Sequence, residues 1–197
     1  MGTDIHGRLQ TRYNSTDKWR DAGEIECDRN YRVFAMLADV RNGAAFAGVK
    51  THKSITPIAP PRGLPEDIEL SQRDDNTLII HDPWDDEAPL QHYNLGDHSF
   101  SWVTLKELVD WPGWQKTLHM VGLLAPEEMA RVQREGGAPN KWCGGTNDPT
   151  YVRYEWDVPF TEYTRQFKAW VDYLALKYSY LLAERPDCVR LVFGFDS

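Results

Sequence analysis

The sequence predicts an α+β fold: a single domain over residues 1–197, with a mostly antiparallel sheet and a long C-terminal helix packed on one face. Three stretches carry that expectation. Residues 188–196 (CVRLVFGFD) read as a strand, with Val189, Leu191, Phe193 and Phe195 on one parity. Residues 3–13 (TDIHGRLQTRY) alternate as well, Ile5 and Leu9 facing one way and Asp4, His6, Arg8, Gln10 and Arg12 the other. Residues 161–184 span about 36 Å as a helix, and Phe167, Trp170, Val171, Leu174 and Tyr178 form one apolar stripe along it. The two strands are expected at the centre of the sheet.

The chain between these anchors divides in order. After the first strand, Asn14-Ser15-Thr16-Asp17 is turn chemistry and Lys18-Trp19-Arg20 resumes an extended run, which predicts a hairpin. Asp28 is placed to cap a helix over 29–41, with Tyr31, Phe34, Leu37 and Ala38 on its inner face and Asn42-Gly43 closing it. Residues 43–65 read as a loop pinned by Phe46, Val49, Ile55 and Ile58. Residues 66–97 form an acidic region, expected to be a mobile loop, with a short extended piece at 77–80. Gly96-Asp97-His98-Ser99 reads as a loop leading to Thr104-Leu105-Lys106-Glu107, a capping box that opens a helix to about Trp111. Pro126 starts a helix through Glu135, residues 138–150 are irregular, and 151–156 alternate as a strand.

Composition bounds the function. With 41% apolar and 12% aromatic residues the chain is too rich in rings to stay disordered. No apolar run approaches the roughly 18–20 residues of a bilayer span, and the start lacks a basic-then-apolar signal pattern. Cys27, Cys143 and Cys188 are widely spaced, which argues for reduced thiols in a cytosol and against a disulfide framework or a thiolate zinc site. The net charge of −8 is concentrated: residues 66–97 hold ten acidic side chains against Arg73, a net of −9. An extended nucleic-acid duplex is therefore not an expected partner, because phosphate neutralisation needs clustered Lys and Arg.

Candidate chemistry begins at Asp4 and His6, which share a strand face beside Gly7. Asp97 and His98 form a second pair, and Asp196 stands at the end of the last strand. If Asp4, His6, Asp97 and His98 converge, two carboxylates and two imidazoles suit Mn²⁺, Fe²⁺ or Zn²⁺ better than Mg²⁺. Arg29, Arg41 and Arg62, with Asn30 and Asn42, are candidates for gripping a phosphate or carboxylate, Arg29, Asn30 and Arg62 foremost, since guanidinium reads such groups bidentately.

Asp4-Ile5-His6-Gly7 resembles the opening metal motif of calcineurin-like phosphoesterases, but the later motifs of that family do not follow, so its fold is not expected. A broader resemblance runs through Met1-Gly2-x-Asp4-Ile5-His6, Arg29-Asn30-Tyr31, Val40-Arg41-Asn42, Arg62-Gly63-Leu64-Pro65, Asp97-His98-Ser99, Thr104 to Leu108 and the closing Val189 to Asp196. These are similar to a family of small bacteriophage and prophage proteins that begin Met-Gly-Cys-Asp-Ile-His; here Thr3 stands in place of the Cys. The resemblance implies a phage origin and a host-cytoplasmic setting and carries no activity with it. Three functions follow as expectations. One is a metal-dependent phosphoesterase for a nucleotide-like substrate. Another is a binding module that sequesters a small anionic ligand. The third is an inhibitor that docks on a host protein through the acidic 66–97 region.

Overall fold

The computed structural model describes residues 2–42, 55–72, 75–82, 85 and 87–196. The loop anchors Phe46 and Val49 and the cap at Gly43 lie outside the described residues. The fold is α+β, as expected, around a four-stranded antiparallel sheet. Its strands are β1 (Asp4–Thr11), β2 (Arg20–Glu24), β5 (His98–Thr104) and β8 (Val189–Asp196), in the order β2-β1-β8-β5. The first and last strands are central. β8 is buried on both faces from Val189 to Phe195, which is why it reads as a nearly continuous apolar run.

Parity assigns the two faces. Leu191, Phe193 and Phe195, with Leu9 of β1 and Val103 of β5, join the main core. Over that face lies α1 (Tyr31–Ala38), whose Phe34 meets Phe195 edge-on at 5.2 Å between ring centres. α1 is shorter than its sequence suggests. Asn30, not Asp28, accepts from the Arg32 backbone N–H, and Asp39 closes the helix in a left-handed conformation (φ 60°). α2 (Leu105–Asp110) opens on the expected capping box, with Thr104 and Glu107 bonded reciprocally.

The stretch expected as one long helix is three: α4 (Phe160–Tyr163), α5 (Arg165–Lys177) and α6 (Ser179–Glu184). Thr164 interrupts the first junction, its hydroxyl donating back to the Phe160 carbonyl at 3.0 Å. The stripe Phe167, Trp170, Val171 and Leu174 is buried in the main core, where α5 packs against α2. No helix among the described residues is long and apolar enough to cross a membrane.

Two hairpin-like pairs complete the fold. β6 (Thr117–Leu124) and β7 (Val152–Pro159) pair antiparallel, with α3 (Pro126–Glu135) between them in sequence. Leu118, Met120, Trp156 and Val158 carry this pair into the same core. β3 (Thr77–Ile80) and β4 (Gln91–Asn94) lie within the acidic region and cover the other sheet face, where Leu78, Ile80 and Leu95 pack on Val192. Gly194 is required there: a Cβ at that position would stand 2.3 Å from the Leu95 carbonyl oxygen.

Candidate functional site

The register of β1, β8 and β5 decides what the candidate residues can do together. Asp4 lies opposite Asp196 and His6 opposite Gly194, on the face that carries Val192. His6 Nε2 is 2.9 Å from Asp196 Oδ2, and Asp196 Oδ1 accepts the Asp4 backbone N–H at 3.0 Å. The His6 contact, with that backbone donor, holds the Asp196 carboxyl below the ordinary carboxylate range. Asp4 in turn takes a two-pronged bond from Arg29, through Nε at 2.7 Å and through Nη2. That bond lowers its pKa in the same way.

His98 lies opposite Phe195 rather than Gly194, and its ring stacks on the Phe195 ring with centres 6.0 Å apart. It therefore belongs to the helix-covered face. Its Nδ1 is 2.9 Å from Ser99 Oγ, and Asp97 stands 3.9 Å from Nε2. All three regions meet at one end of the sheet. Strand parity nevertheless puts Asp4, His6 and Asp196 on one face and His98 on the other. Among the described residues no three His, Cys, Asp or Glu side chains are grouped as ligands of one ion. As placed, the four-ligand set expected from sequence does not converge on a common point.

The expected phosphate grips are also engaged within the protein. Arg62 forks onto Glu107 (Nη2–Oε1 2.5 Å, Nη1–Oε2 3.1 Å) and lies over the Trp102 ring. Asn30 caps α1 through Oδ1 and donates from Nδ2 to the Tyr163 carbonyl at 2.6 Å.

Two further arginines hold no carboxylate among the described residues: Arg41, which the sequence offered as a phosphate grip, and Arg32, which it did not single out. Arg41 has a left-handed backbone (φ 55°), donates through Nε and Nη2 to the buried Thr3 hydroxyl and rests over the Tyr31 ring. Arg32 is half-buried at the start of α1. Its Nε is buried without an acceptor, its Nη2 approaches only the Met120 sulfur at 3.8 Å, and its guanidinium lies 4.1 Å from the centre of the Tyr163 ring. Burial pushes its pKa down, although an arginine remains a cation at neutral pH. The sequence carried a signal for it: Arg32 is the one charged residue in the helix YRVFAMLA. Cys27 is no candidate nucleophile, because burial pushes its thiol up to about 12.

No protein-family model, no curated protein and no solved structure matches the chain.

Proposed function

We propose that this chain is a binding protein for a small oxyanion, such as the phosphate of a nucleotide-like ligand, with Arg32 as the group that grips it. One observation carries this reading. The Arg32 guanidinium is half-buried and has no oxygen acceptor among the described residues. Its buried Nε–H goes unpaired, and a buried donor left unsatisfied costs about 1–3 kcal/mol. A phosphate or carboxylate seated on its fork would remove that cost and supply the missing acceptors. Tyr163 beneath the guanidinium and Met120 beside it fix the fork's orientation.

Thermal melting of the wild type against inorganic phosphate, at constant ionic strength, tests the reading. A saturable rise is expected, worth about 2.7 kcal/mol at a hundredfold excess over the dissociation constant. Arg32→Met should lose that rise while melting at or above the wild-type temperature in phosphate-free buffer. A phosphate response unchanged in the variant overturns the reading. So does a variant destabilised without phosphate, because the guanidinium would then be a structural group.

A second reading, a metal-dependent phosphoesterase, is favoured by one feature: Asp196 orients His6 at an open sheet end, with side chains 44 and 35% exposed. His6 and Asp196 would supply two of the ligands of a Mn, Fe or Zn ion there, and bound divalent metals supply a water of lowered pKa. Elemental analysis of protein purified without chelator separates the two, since oxyanion binding at Arg32 needs no metal. A phage origin and action in the host cytoplasm belong to the same proposal and rest on the sequence resemblance.

A further inference from the structure

Asp97, His98 and Ser99, at the start of β5, form a chain of acid, base and hydroxyl that neither reading above uses. His98 Nδ1 lies 2.9 Å from Ser99 Oγ, and its Nε2 faces Asp97 Oδ1 at 3.9 Å. In the tautomer that accepts the serine hydrogen on Nδ1, the ring N–H is on Nε2, the side of the carboxylate. The ring stacks on buried Phe195, and the Asp97 backbone N–H donates to the Phe195 carbonyl at 2.7 Å. One residue of β8 thus positions both the base and the acid.

The backbone at the hydroxyl is unusual. Ser99 takes φ 53°, a left-handed conformation that residues with a Cβ rarely adopt. Ser99 and Phe100 together stand opposite Gly194, in a bulge between His98 and Ser101. Bulges re-aim side chains and are over-represented beside active sites. Thr104 caps α2, so the Ser99 hydroxyl is not needed there. The group is also open to solvent: Ser99 is half-buried, and the His98 and Asp97 side chains are 37 and 62% exposed.

We infer that Ser99 is a nucleophile for uncharged carboxylic esters, with His98 as its general base and Asp97 stabilising the imidazolium. Ser99 Oγ bonds to the ester carbonyl carbon as its proton passes to His98 Nδ1. The ester C–O bond then breaks, and the leaving alkoxide takes that proton. Water, deprotonated by the same nitrogen, attacks the acyl-serine and releases the carboxylic acid. Asp97 sets the substrate class, because its charge beside the base repels a phosphoester anion and leaves a neutral carbonyl unopposed. The inference is independent of the Arg32 reading, involves other elements and needs no metal.

The test uses diisopropyl fluorophosphate and p-nitrophenyl acetate on the full chain, in EDTA so that metal-dependent hydrolysis is silent. The wild type should gain one phosphoryl adduct, mapped by peptide mass to Ser99, and release a burst of about one nitrophenolate per chain. His98→Gln should slow labelling by at least about a hundredfold. Ser99→Gly should abolish both signals while folding normally, because glycine accepts the positive φ. Arg32→Met should leave both unchanged. The peptide map on wild-type protein decides the matter even if a variant fails to fold. A wild type without an adduct, an adduct at another residue, or a labelling rate indifferent to His98→Gln overturns the inference.

Discussion

His119, on β6, stands between two carboxylates of β7, its Nδ1 2.9 Å from Asp157 and its Nε2 3.2 Å from Glu155. With both ring nitrogens facing acids the imidazolium is the favoured form, and its pKa is raised, chiefly by the Asp157 hydrogen bond. A raised pKa contributes stability that is fully present below the unfolded value of 6.5 and lost as pH rises through the folded one. Glu155 acts in the opposite sense. Its pKa is lowered, first by the His119 hydrogen bond, so its contribution is lost as pH falls through its folded value, below the ordinary 4.5. His119→Gln should therefore lower the urea midpoint more at about pH 5.5 than at about pH 8.5. An equal loss at both would show that the clamp carries no charge. At this scale the sequence was half legible. Period-two alternation put Asp4 and His6 on one face. That Arg29 would take Asp4 and Asp196 would take His6 depended on β1 lying beside β8, which no local pattern encodes. Arg29 and Arg62 read as ligand grips because a sequence displays cations without their counter-ions.

Elements were legible where local chemistry fixes them: the capping box at Thr104, proline at the start of α3, the alternation of β1 and β8. They were obscured where tertiary contacts override the pattern. The lead-in to α2 reads as loop because Ser99 takes a positive φ (53°) and a bulge separates His98 from Ser101, yet 98–104 is a strand. In β6 the run Val121-Gly122-Leu123-Leu124 blurs an alternation that burial reveals at Leu118, Met120 and Leu124. Two variants test how the elements pack. Trp170→Ala on α5, at a site 6% exposed, should cost about 3–5 kcal/mol, read as a lower denaturation midpoint. Gly194→Ala would drive a methyl group onto the Leu95 carbonyl and the Phe100 ring, and should destabilise by about 1–3 kcal/mol or more. A wild-type midpoint for the glycine variant would mean that the β3–β4 pair does not press on the sheet.

At the scale of the whole molecule one core joins the four-stranded sheet, the β6–β7 pair and helices α1, α2, α4 and α5. Far-ultraviolet and tryptophan signals should therefore report a single unfolding transition, and two separated midpoints would divide the chain into independent units. The acidic region was legible as a charge feature but not as a cover, because Leu78, Ile80 and Leu95 are too few among its acids to announce a packed face. Finally, the central pairing of the sheet joins residues 190 positions apart, as in the bond between His6 and Asp196. A ribosome adding 5–20 residues per second emits the second partner roughly 10–40 seconds after the first. Throughout that interval β1 has one edge vacant, and the apolar side chains destined for β8 do not yet exist. An isolated two-stranded hairpin is marginal in water, so for most of synthesis the β1 edge is an open template on which chaperones or other strands can settle first.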